Sequence, residues 1–122
     1  MGDLRERCAL PYSPIHIVSR FQLAEPPAGQ LRLASEATTN FTAGLLAAAA
    51  KLTPSTLFST GGDELNTNCY AADEETQAAL NATGQTLEQA LNTFTQVTHK
   101  ALLDEGKTPV VWEGASYGWC CV

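Results

Sequence analysis

Asp63 and Glu64 stand side by side, directly after Gly61-Gly62 and just past the run Thr56-Leu57-Phe58. Two adjacent carboxylates cannot both ionise freely. Each negative charge raises the other's pKa, and partial burial raises it further, so one acid can stay protonated near neutrality. A carboxyl that holds its proton at neutral pH meets the requirement for general acid catalysis. The glycines carry no Cβ, so the backbone there can turn sharply or approach a ligand closely, which presents the acids on a bend. An Asp-Glu pair in a loop is ordinarily solvated surface, so the pair takes its weight from its surroundings.

The elements that would position these acids follow from periodicity. Phe41, Leu45, Leu46, Ala49 and Leu52 fall at helical spacing and predict a helix over about Ser35 to Lys51 with one apolar stripe against a sheet. Thr53-Pro54-Ser55 ends it, because proline has no amide hydrogen and disfavours helix in the residue before it. A strand containing Leu57 and Phe58 comes next. Asp73 to Leu80 reads as a short helix in a surface excursion. Thr86 with Gln89 three residues later makes a capping box for a second long helix, whose stripe is Leu87, Ala90, Leu91, Phe94, Val97, Ala101 and Leu102, and Gly106 supplies its stop. Val110-Val111-Trp112 then reads as a buried strand. Strand, helix and strand with short connections predict a parallel βα unit, with the acids just past the C-terminal end of the first strand.

Read from Phe58 through the acids to Cys69-Tyr70, the segment resembles the active-site strand of the family 20 glycoside hydrolases, the β-N-acetylhexosaminidases. Glu25-Pro26-Pro27-Ala28-Gly29-Gln30-Leu31 upstream and Thr108-Pro109-Val110-Val111-Trp112-Glu113 downstream extend the likeness, in the order and at about the separation of fungal members. Two positions depart from the family pattern. Ser59 replaces a frequent His, as fungal relatives tolerate, and Gly114 stands where an acid is usual.

The resemblance implies roles residue by residue. Asp63 would orient and polarise the 2-acetamido group of the substrate while its carbonyl oxygen attacks the anomeric carbon. Glu64 would protonate the departing glycosidic oxygen and then activate water as a base. The nucleophile belongs to the sugar, so no enzyme carboxylate has to reach the anomeric carbon, and the two acids can be neighbours. Trp112 would form one aromatic wall of the pocket for the N-acetyl methyl group, with Glu113 beside it as a substrate-binding residue; judged by its own neighbourhood, Trp112 is an ordinary aromatic at a strand end. The implied partner is an oligosaccharide ending in N-acetylglucosamine or N-acetylgalactosamine, and the resemblance leaves room for a homodimer of the full-length form. No cofactor is implied.

A family 20 catalytic domain is a (β/α)8 barrel, a fold of about 250 residues, and this chain has 122. The expected fold is therefore α/β, a partial (β/α)8 TIM barrel covering about strand four, helix four and strand five with the preceding helix three. Residues 25–113 form the barrel fragment, 1–24 an unmatched N-terminal segment and 114–122 a divergent tail, which is the pattern of a truncated gene model. The alternative to a hydrolase is an inactive fragment or carbohydrate-binding remnant that keeps the acid pair without enough pocket to use it.

The net charge of −6 and the lack of a basic patch argue against nucleic acid or anionic membranes as partners. No apolar run is long enough to span a bilayer, and Met1-Gly2-Asp3-Leu4-Arg5-Glu6-Arg7 is not followed by a signal-peptide core. Two sequons, at Asn40 and Asn81, are candidate glycosylation sites and hint at a secreted or lysosomal/vacuolar full-length protein. Cys69 lies where lysosomal relatives have a disulfide-bonded cysteine; Cys8 is its only upstream candidate partner, and a buried thiol is the other reading. Cys120 and Cys121 are adjacent, and His16 and His99 are lone residues that read as surface groups, so no metal is expected.

Overall fold

The computed structural model describes residues 30–62, 65 and 67–112. Helix α1 spans Glu36–Leu52, strand β1 Leu57–Gly61, helix α2 Thr67–Ala72, helix α3 Glu74–Thr83, helix α4 Leu87–Asp104 and strand β2 Thr108–Val111. The molecule is thus a small α/β unit whose two strands pair in parallel, as the strand-helix-strand pattern predicts.

Local chemistry sets the helix ends. Ser35 caps α1 by accepting from the Thr38 amide, and extended Thr53 ahead of Pro54 closes it. Thr86 and Gln89 form the predicted capping box of α4, with hydrogen bonds of 2.9 and 3.2 Å. At the other end Gly106 takes the left-handed conformation, φ 73°, which lets the Lys107 amide reach back to the Leu102 carbonyl at 3.0 Å.

The short helix expected from Asp73 to Leu80 is α3, which runs on to Thr83 and buries Thr76 and Leu80; Asp73 is its N-cap, accepting from the Thr76 amide at 2.9 Å and from its hydroxyl at 2.6 Å. The helix just before it, α2, carries core residues. Leu33, Cys69 and Tyr70 form the buried cluster, and Leu31, Leu87, Leu91 and Phe94 pack against it. Tyr70 is 1% exposed and donates its hydroxyl to the Leu31 carbonyl at 2.8 Å, so its polar tip is satisfied inside the core.

Only part of the predicted stripe of α1 is covered: Leu46 and Ala49 are half-buried. The helix buries Thr38, Thr39 and Ala50 and lies chiefly against α4, while Phe41, Leu45 and Leu52 are exposed, Leu52 at 86%. Periodicity finds a face that can be buried; the neighbour actually present decides which face is. Val97 of α4 is likewise exposed, and buried Thr98 takes its place beside Leu102. The buried strand expected at Val110-Val111-Trp112 is also exposed, because a two-stranded sheet leaves much of its surface without a cover.

Candidate functional site

In a parallel pair both strands end at the same edge, so the segments after β1 and β2 emerge together. The register is Leu57 with Thr108, Phe58 with Pro109, Ser59 with Val110 and Gly61 with Val111. Two residues of β1 therefore match one step of β2, and Thr60 is the extra residue of a β-bulge. Beyond it Gly61 and Gly62 have φ of 69° and 101°, a backbone that residues with a Cβ rarely adopt, so the glycines are used for the turn the sequence predicts. The Trp112 amide donates to the Gly61 carbonyl at 3.3 Å and carries the pairing to the end of the sheet.

Trp112 thereby stands next to the Gly-Gly turn. Its side chain is 63% exposed, so among the described residues the indole presents a surface and does not line an enclosed pocket. Asp63, Glu64 and Glu113 lie outside the described residues. Asn40 on α1 and Asn81 on α3 are both exposed. Cys69 is buried in the core, and Cys8, Cys120, Cys121 and His16 lie outside the described residues.

His99 departs from the sequence reading. Instead of standing in solvent it is half-buried on α4, and its Nε2 lies 3.2 Å from Thr60 Oγ1, on the bulge itself. Burial lowers its pKa and favours the neutral ring. The signal was available in the periodicity: His99 is eight residues after Leu91 and three before Leu102, which places it on the inward side of the same helix.

A second polar group joins the turn ahead of α1 to α3. Arg32 donates Nε to Asp73 Oδ2 at 2.9 Å, Nη2 to Asp73 Oδ1 at 2.8 Å and Nη1 to Glu75 Oε2 at 2.6 Å. Burial would raise the pKa of Asp73, but the hydrogen bonds from Arg32 and Thr76 and the guanidinium charge outweigh it and hold the carboxyl below its ordinary range. Those bonds to Asp73 in turn raise the pKa of Arg32. Nothing local in the sequence shows that Arg32, 41 residues earlier, would meet Asp73. A shallow groove of about 290 Å³ runs beside this network, lined by Arg32, Ser35, Glu36, Glu75 and Thr76 among others, and Trp112 does not border it. Tyr70 beneath is held un-ionised, its pKa raised first by burial and then by the negative charge of Asp73.

Among the described residues no three His, Cys, Asp or Glu side chains gather as a metal site, and no helix is long and apolar enough to cross a membrane.

Residues 12–120 match the catalytic domain of glycosyl hydrolase family 20, a span that contains 25–113 and runs past it at both ends. The chain is 37% identical over 98 residues to a β-hexosaminidase of Arthroderma benhamiae, covering 79% of this chain and 16% of that protein. It is 33% identical over 82 residues to β-hexosaminidase 1 of Arabidopsis thaliana, covering 64% of this chain and 15% of that protein. The chain thus spans about a sixth of the length of the curated relatives it matches.

Proposed function

We propose, because this chain belongs to glycosyl hydrolase family 20, that it is part of the catalytic barrel of a β-N-acetylhexosaminidase and supplies the acid pair of that enzyme. In this reading α1 is helix three of the barrel, β1 strand four, α4 helix four and β2 strand five. One observation carries it: the parallel strands β1 and β2 end together, with Gly61 and Trp112 joined at 3.3 Å. That edge is where a (β/α)8 barrel keeps its catalytic groups.

The chemistry is retaining and substrate-assisted. The acetamido carbonyl oxygen, aligned by Asp63, bonds to the anomeric carbon as the bond to the leaving oxygen breaks, and the carboxyl proton of Glu64 goes to that oxygen. Glu64, now a carboxylate, takes a proton from water, whose oxygen adds to the anomeric carbon and opens the oxazolinium ring. Trp112 and Glu113 flank the sugar. The substrates are terminal β-linked N-acetylglucosamine or N-acetylgalactosamine residues, chitin fragments and glycans among them. A secreted or lysosomal/vacuolar location, glycosylation at Asn40 and Asn81 and a homodimer of the full-length form complete the proposal; the exposure of both asparagines supports modification.

The test is a series of aryl glycosides with acetyl, fluoroacetyl and trifluoroacetyl groups on nitrogen, given to the barrel that contains this segment. Fluorine withdraws electrons from the carbonyl oxygen, so kcat/KM should fall steeply along the series. A flat series would mean that water or a protein carboxylate attacks instead.

A second reading has its own observation. With Trp112 at 63% exposure and Leu57, Val110 and Val111 also open to solvent, the described residues enclose no sugar. These 122 residues in isolation are then a carrier of the acid pair without turnover.

A further inference from the structure

Thr60 is the extra residue of the β1 bulge and the last residue with a side chain before Gly61-Gly62 and the acids. Bulges re-aim the backbone beyond them, and one placed here sets the direction in which the chain leaves the sheet toward positions 63 and 64. Its side chain has two partners: His99 Nε2 at 3.2 Å and the Val110 carbonyl at 3.4 Å. A threonine hydroxyl has one proton to donate, and a carbonyl can only accept. If that proton goes to Val110, the bond with His99 must run the other way, from Nε2–H to Oγ1. The opposite assignment would leave no donor for the Val110 contact.

We propose that His99 is the positioning residue of the acid pair: its Nε2–H donates to Thr60 Oγ1, Thr60 donates to the Val110 carbonyl, and this chain of two bonds fixes the bulge from which Gly61-Gly62 departs. The hydrogen-bond chain stands on the geometry alone; its service to Asp63 and Glu64 rests on the hydrolase reading above. Helix α4 already packs against β2, so the ring comes from an element that is held in place. Half-burial of His99 lowers its pKa, which keeps the ring neutral and makes the tautomer matter.

The test is the nitrogen-15 spectrum of the His99 ring in the whole chain at a pH above 7, where the ring is neutral. The Nε2–H tautomer is expected, with Nδ1 unprotonated; the Nδ1–H tautomer would overturn the hydrogen-bond chain. Two variants extend the test. A glutamine amide can donate from near the Nε2 position, so His99→Gln should leave the Gly61 and Gly62 amide resonances close to those of the parent, whereas His99→Leu should move them. In the barrel that contains the segment, His99→Leu should lower kcat about tenfold with KM changed less than about twofold, and His99→Gln should restore most of the loss. Equal losses in the two variants would overturn the positioning role. A parent barrel without turnover would overturn the hydrolase reading and the catalytic half of the proposal with it, while the tautomer would still decide the structural half.

Discussion

Arg32 grips the Asp73 carboxylate with two hydrogen bonds, Nε to Oδ2 at 2.9 Å and Nη2 to Oδ1 at 2.8 Å, and so ties the turn before α1 to the cap of α3. The side chains are only 16% and 7% exposed, so this pair is not a solvent-screened surface bridge. Asp73→Ala removes the cap and leaves the guanidinium without its main partner, at a cost of about 3 kcal/mol. Arg32→Lys keeps the charge but not the planar fork and costs about 1–2 kcal/mol. Urea midpoints at unchanged m-value measure both, and an Arg32→Lys chain as stable as the parent would contradict the assignment.

The same carboxyl gives a pH dependence with a definite sign. The folded pKa of Asp73 lies below its ordinary value, so its contribution is complete above the ordinary carboxylate range and is lost as pH falls through the lower folded value. His99 has the same sign in another window. Its folded pKa is lowered from 6.5, so stability rises with pH, is complete above that value and is lost as pH falls through the folded one. Urea midpoints followed from about pH 8 down to about pH 3 should show two separate declines on the acid side. Arg32→Lys should shrink the more acidic one and His99→Gln should remove the other; a profile flat through both windows would count against both shifts.

Thr38 offers a stabilising change. Its hydroxyl is buried and finds no hydrogen-bond partner among the described residues, while its amide is already held by Ser35. Thr38→Val keeps the shape and the β-branching and removes the unsatisfied oxygen, so the chain should gain about 1 kcal/mol. Thermal unfolding should show a higher Tm by a few degrees, and a lowered Tm would mean that the hydroxyl has a partner after all.

How much of the fold is legible in the sequence depends on the range of the forces involved. The capping box at Thr86, the stop at Gly106 and the parallel pairing through α4 rest on local chemistry and periodicity, and they stand as read. The face of α1 does not, because Phe41 and Leu45 have the right spacing for burial whether or not a neighbour covers them. The bulge at Thr60 and its contact with His99 depend on a register that no run of residues spells out. Arg32 and Asp73 meet across 41 positions, and neither has a neighbour that announces the other. The Gly-Gly turn was legible because Gly61 and Gly62 sit at positive φ, a conformation that residues with a Cβ rarely adopt.

Exposure of Phe41, Leu45 and Leu52 on α1 and of Leu57, Val110, Val111 and Trp112 on the sheet predicts that the isolated chain is adhesive. It should bind an apolar dye such as ANS while retaining the near-ultraviolet circular dichroism of packed aromatics, which separates a folded open surface from a molten state. Phe41→Glu with Leu45→Lys should lower dye binding, and any self-association seen in sedimentation, with little loss of stability. No dye binding by the parent chain would show that these residues are covered.

The most direct measurement is release of chromophore from an aryl N-acetyl-β-glucosaminide by a barrel in which residues 12–120 of this chain replace the matching segment of the Arthroderma benhamiae relative. The hydrolase reading predicts turnover by the folded chimaera and a loss of about 10²–10⁴-fold in kcat with Glu64→Gln, the range for removing a general acid-base group. A folded chimaera without turnover, or turnover that survives Glu64→Gln, would contradict it.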